Sequence, residues 1–130
     1  MKVLRARGFK IGIASASSPD IFEIFFDKNP ELKQYFDCVV TCDELNVCKP
    51  TQVVYEECIR RLGTTKEDAV IFEDSYVGLV GAKETGCPVV CILSSTDRVQ
   101  EKRALADLTV TGYSELLPDG LTEKEKADVI

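Results

Sequence analysis

The chain has 130 residues, of which 45% are hydrophobic and 29% charged, and its formal net charge is −6. That size gives one domain, or part of one, with enough buried surface for a core, and the composition excludes a disordered chain. The acidic balance and the lack of a basic run exclude a nucleic-acid surface. No apolar run is long enough to span a bilayer, and residues 1–7 lack the apolar centre of a signal peptide, so the expectation is a cytoplasmic protein without nucleic-acid or membrane partners.

In chain order, residues 9–14 (FKIGIA) read as a buried strand. Ser18 is placed to cap a helix that starts at Pro19 and carries Phe22, Ile24, Phe25 and Phe26 towards Asn29-Pro30. A short helical piece at 31–36 precedes a strand at 37–41 and a polar loop at 42–50 that ends in Lys49-Pro50. Val54, Tyr55, Cys58, Ile59 and Leu62 recur at helical spacing and predict a helix over 51–62, ended by Gly63. A strand at 69–73 runs into a helix rich in small residues (Ser75, Gly78, Gly81, Ala82), with Gly86 as its stop. A strand at 88–93, a helix near 97–105, a strand at 108–110 and a short helix at 113–117 complete the alternation. Strand–helix alternation of this kind implies a Rossmann-like parallel sheet with flanking helices, here assigned to residues 1–117, followed by a charged tail at 118–130.

Six cysteines occur, with no CxxC pair and no histidine in the chain. Zinc patterns and Ser-His or Cys-His catalysis are thereby removed, and the thiols are expected to be free and mostly buried. Three features remain at strand ends, where ligands of open parallel sheets bind. At Ile13-Ala14-Ser15-Ala16-Ser17-Ser18 a strand breaks into a helix start, and the hydroxyl and amides there suit a phosphate or form an ordinary turn. Lys49 is a point charge for phosphoryl oxygens or a solvated loop residue. Glu73 and Asp74 form an acidic pair that suits a divalent cation or complements the dipole of the next helix.

Together, KIGIASASS at 10–18, FDCVVTCDELNVCKP at 36–50, VIFEDSYVGLVGAKETG at 70–86 and GCPVVCIL at 86–93 resemble the haloacid dehalogenase superfamily. The likeness is to the branch that holds beta-phosphoglucomutase and small sugar-phosphate phosphatases. It implies phosphoryl transfer to or from a small phosphorylated metabolite, through an aspartyl-phosphate and with Mg²⁺. Ser15 and the amide of Ala16 would hold the phosphoryl group, Lys49 would neutralise phosphate and nucleophile, and Asp74 with Glu73 would bind the metal.

The chain departs from the family pattern in several places. The DxDGT motif with its nucleophilic aspartate does not occur. In the family it lies on a central strand, separated from the Ser15 strand by a cap domain, and MKVLRARGFK matches the helix that returns from that cap. The resemblance therefore implies a core without its nucleophile strand, inactive alone and binding Mg²⁺ weakly or not at all. It also implies that the gap between the Ser15 and Glu73 strands closes or is filled, because unpaired buried backbone is costly, and the incomplete sheet offers an edge for self-association. Val53 stands where an aspartate is usual and Cys48 where glycine is frequent. A non-catalytic phosphate-binding or regulatory protein, and half of a split enzyme, are the alternatives.

Overall fold

Seven α-helices and five parallel strands alternate along residues 1–116, the part of the chain that the computed structural model describes. The helices are α1 (Lys2–Ala6), α2 (Pro19–Lys28), α3 (Pro30–Lys33), α4 (Cys42–Leu45), α5 (Val53–Arg61), α6 (Tyr76–Glu84) and α7 (Val99–Leu105). The strands are β1 (Gly12–Ser15), β2 (Cys38–Thr41), β3 (Ile71–Glu73), β4 (Val89–Ile92) and β5 (Leu108–Val110). The expected tail at 118–130 lies outside the described residues.

The segment read as a polar loop, 42–50, instead opens with helix α4. Its cause is a capping box: the Glu44 amide donates to Thr41 Oγ1 at 3.1 Å, and the Thr41 amide donates to Glu44 Oε2 at 3.4 Å. Asn46, at φ 54°, ends the helix in the left-handed conformation. The first strand is also shorter than the apolar run that predicts it. It pairs only from Gly12 onward, and Phe9 is exposed.

Every strand pair is parallel, as the alternation requires. The sheet, however, is in two pieces. One has the order β1-β2, in register from Gly12 opposite Cys38 to Ser15 opposite Thr41, and the other has the order β3-β4-β5. β1 and β3 are not hydrogen-bonded to each other, so the gap between them does not close by direct pairing of these two strands.

Packing explains why the two edges do not move together. A single core joins Val40 and Cys42 from the first piece to Ile71, Val89 and Cys91 from the second, through Val54, Tyr55 and Cys58 of α5 and Leu79 and Ala82 of α6. Gly81 of α6 lies directly on the backbone of Thr51, which leads into α5. Drawing β1 onto β3 would break these contacts and open cavities, which are costly in close-packed interiors.

At the other end of the sheet, Asp37 ties the N-terminal segment down. Its Oδ2 accepts from Arg5 at 2.6 Å and from the Ile11 amide at 2.7 Å. The backbone hydrogen bond from Ile11, with Arg5 beside it, holds the Asp37 carboxyl below its usual value.

Two outcomes follow from this packing. Gly81→Ala places a methyl group within 2.8 Å of the Thr51 carbonyl carbon, and should lower unfolding stability in urea by about 1–3 kcal/mol. Gly112→Ala, which meets only Ser114 Oγ at 3.8 Å, should be close to neutral. Because the folded-state pKa of Asp37 is depressed, its stabilisation is complete above the unfolded carboxyl pKa of about 4 and is lost as pH falls through the folded value. Asp37→Asn should therefore flatten the acid limb of a stability–pH curve and leave its shape above about pH 5 unchanged.

Candidate functional site

The C-terminal ends of β1 and β3, and the loop that follows β2 and α4, bring Ser15, Lys49, Glu73 and Asp74 to one end of the two sheets. Lys49, ahead of a cis peptide bond to Pro50, places its Nζ 2.7 Å from Glu73 Oε1. The pair is largely out of water, with the two side chains 14% and 9% exposed.

Tyr55, on the buried face of α5, completes this unit. Its hydroxyl donates to Glu73 Oε1 at 2.6 Å and lies 3.1 Å from the Gly78 carbonyl. Its ring lies under the ammonium, with Lys49 Nζ 5.0 Å from the ring centroid. Burial, and then the neighbouring carboxylate, push the Tyr55 hydroxyl well above the usual tyrosine value, so it stays a proton donor. The sequence places Tyr55 only among the apolar residues of its helix. Its position six residues after Lys49 is a signal that becomes readable once both side chains are seen to meet Glu73.

The other oxygen of Glu73 lies over the start of α6. Glu73 Oε2 is 3.3 Å from the Asp74 amide and 3.3 Å from the Ser75 hydroxyl, and Ser75 caps the helix by accepting from the Gly78 amide at 3.0 Å. A side chain at position 78 would collide with the Glu73 carboxylate. Gly78 is therefore required by this close approach.

Asp74 points elsewhere. It is exposed, and its Oδ2 accepts from the Ser94 hydroxyl at 3.0 Å. The two neighbouring carboxylates thus face different partners. Among the described residues no third histidine, cysteine or acid joins them in a group able to hold a metal ion. Glu73 is already bound to a lysine, so a Mg²⁺ ion held by these two carboxylates would take the rest of its six oxygen ligands from water or other groups. Ser15 stands on the first sheet piece, where its Oγ accepts from the Ser17 amide at 3.0 Å. No hydrogen bond connects Ser15 or Ala16 to Lys49, Glu73 or Asp74.

The physical order of importance in the buried unit is testable. Lys49→Met leaves the Glu73 carboxylate buried without its cation, and should cost about 3–5 kcal/mol in chemical denaturation. Tyr55→Phe removes only a hydroxyl donor and should cost about 1–3 kcal/mol. If the two residues act through the same carboxylate, the double variant should lose less than the sum of the two single losses.

Comparison with known proteins agrees with this architecture. The family model for haloacid dehalogenase-like hydrolases matches residues 1–92. Pyrophosphatase PpaX of Bacillus cereus (strain AH820) is 26% identical over 116 residues, covering 88% of this chain and 53% of the relative. Hexitol phosphatase B of Escherichia coli (strain K12) is 27% identical over 115 residues, covering 86% of this chain and 50% of the relative. Among solved structures, a HAD phosphatase from Thermococcus onnurineus superposes with a TM-score of 0.75 at 32% identity, covering 88% of this chain and 52% of that one. The chain spans about half the length of these relatives. With parallel strands, flanking helices and a family match over most of its length, the chain belongs to the haloacid dehalogenase-like hydrolase family.

Proposed function

We propose that this chain carries the phosphate-binding and acidic part of a Mg²⁺-dependent phosphatase or phosphomutase for a small phosphorylated metabolite. The reaction would proceed through an aspartyl-phosphate, on an aspartate supplied from outside residues 1–130. The observation that carries this reading is the fixed ammonium of Lys49, held by Glu73 and Tyr55 beside Asp74 at the strand ends. The pyrophosphatase and the hexitol phosphatase among its relatives support a phosphatase-type activity.

In this reading the Ser15 hydroxyl and the Ala16 amide hold two phosphoryl oxygens. Lys49 places positive charge between the phosphoryl group and the incoming nucleophile. Phosphoryl transfer asks the protein mainly for position and charge neutralisation, and a cation whose orientation is set before substrate arrives needs no reorganisation. Glu73 and Tyr55 would provide that orientation. Mg²⁺, when bound, would neutralise charge on the transferring group. Asp74, with Glu73 Oε2 as a second oxygen, would supply only part of its ligand set, the remainder coming from the segment that brings the nucleophile.

The test is a Mg²⁺-dependent assay with p-nitrophenyl phosphate. The 130-residue chain should give no turnover. Extending the reading frame upstream to include an Asp-x-Asp strand should restore activity, and Lys49→Ala in that longer protein should lower kcat by roughly 10²–10³-fold. Turnover by the 130-residue chain alone would overturn the assignment of the nucleophile to another segment.

A further inference from the structure

A second group of cations stands where the start of α6 meets the turn after β4. An open cleft of about 610 Å³ is lined by Asp74 and Tyr76 at the start of α6, by Ser94, Ser95 and Arg98 in the turn after β4, and by Lys102 of α7. Lys102 is only 2% exposed. Its ammonium has three protons to donate and makes one hydrogen bond, to Ser95 Oγ at 3.2 Å. Asp74 and Asp97 border the same cleft, yet among the described residues neither Lys102 nor Arg98 is in an ion pair with them or with another acid.

Buried ammonium groups are ordinarily paired, because removing the charge from water is expensive. Here the one partner is a neutral hydroxyl, which keeps its own proton to donate. Arg98 adds a second cation at the mouth. Its guanidinium lies 4.7 Å from the Tyr76 ring centroid, which holds it against the start of α6. Stacking of this kind leaves the N–H edge of the guanidinium available for planar or tetrahedral oxyanions.

We propose that this cleft is an oxyanion subsite that receives the carboxylate or phosphate group at the far end of the substrate, with Lys102 and Arg98 as its cations and Ser95 as a hydroxyl donor. It deepens the proposed function, since it selects substrates that carry a second anionic group besides the transferring phosphoryl group. Its location fits, because it shares Asp74 with the candidate site and lies at the C-terminal ends of β3 and β4, where ligands of parallel sheets bind.

The experiment titrates the chain with inorganic phosphate and follows backbone amide shifts by NMR, which separate residues 94–102 from the Ser15 and Lys49 centre. Saturating shifts at residues 94–98 and 102 are expected. Arg98→Ala, an exposed position whose loss leaves the core intact, should weaken this binding by about tenfold. Lys102→Gln should weaken it at least as much. If Lys102→Gln fails to fold, the Arg98→Ala titration decides alone. Shifts confined to residues 15–17, absent shifts at 94–102, or shifts there that survive Arg98→Ala would overturn the subsite. Those outcomes leave the proposed function standing, which fails separately if the upstream-extended protein shows no turnover.

Discussion

The ion pair between Lys49 and Glu73 ties together parts of the chain that backbone hydrogen bonding leaves separate. Lys49 follows β2 and α4, so it belongs to the two-stranded piece, whereas Glu73 ends β3 in the three-stranded piece. Tyr55, on the helix that packs against β1 and β2, reaches the same carboxylate oxygen as Lys49. The polar contacts that form the candidate site are therefore also the contacts that join the two sheet pieces at their functional end. A buried pair of this kind contributes little net stability against an apolar alternative, but removing one partner is strongly destabilising. Its value lies in orientation: one lysine, one carboxylate and one hydroxyl have few ways to satisfy one another out of water.

The split sheet sets a second constraint. Parallel sheets are normally continuous and covered on both faces. Here continuity is carried by the helical layer, where α6 rests on the Thr51 backbone through Gly81 and the core passes from Val40 to Val89 through α5 and α6. Among the described residues β1 and β3 each have a strand partner on one edge only, and side chains on the second piece such as Phe72, 40% exposed, remain partly in water. An edge of this kind is a template for another strand. Because the helices already fix both flanks, an added strand would dock without rearranging Lys49 or Glu73, so the site's cation and acid are set independently of whatever pairs there.

Much of this was readable from the residues. The strand–helix alternation, Pro19 at the start of α2, the apolar spacing of α5 and the small-residue helix after Glu73-Asp74 all reappear within a few residues of their expected bounds. These features depend on local periodicity and termini, which a sequence records directly. Helix α4 rests on Thr41 followed three residues later by Glu44, a capping signal set in a run whose polarity otherwise reads as a loop. The partnership of Tyr55 with Glu73 was invisible for a deeper reason. Eighteen residues separate them, and only the docking of α5 against the end of β3 brings hydroxyl and carboxylate together. Lys102 was hidden likewise, since a lysine on a short helix reads as solvated until α7 is packed against α6.

Charge distribution links these observations to the chemistry. A chain with a formal charge of −6 repels anionic metabolites at long range. At physiological ionic strength that repulsion is screened beyond about 8 Å, so the local arrangement decides what binds. At the strand ends Lys49 is neutralised by Glu73 on one side of Asp74, whereas on the other Lys102 and Arg98 share a cleft with Asp97 and form no ion pair among the described residues. Glu73 is already neutralised by Lys49, and of the two carboxylates on the cleft, Asp74 and Asp97, it is the Asp74 charge that stands next to Glu73. A cation bound at Asp74 would remove that charge and leave the strand ends net positive. An anionic group bound in the cleft would then be coupled electrostatically to occupation of Asp74, and the coupling strengthens as water leaves the cleft and the effective dielectric falls.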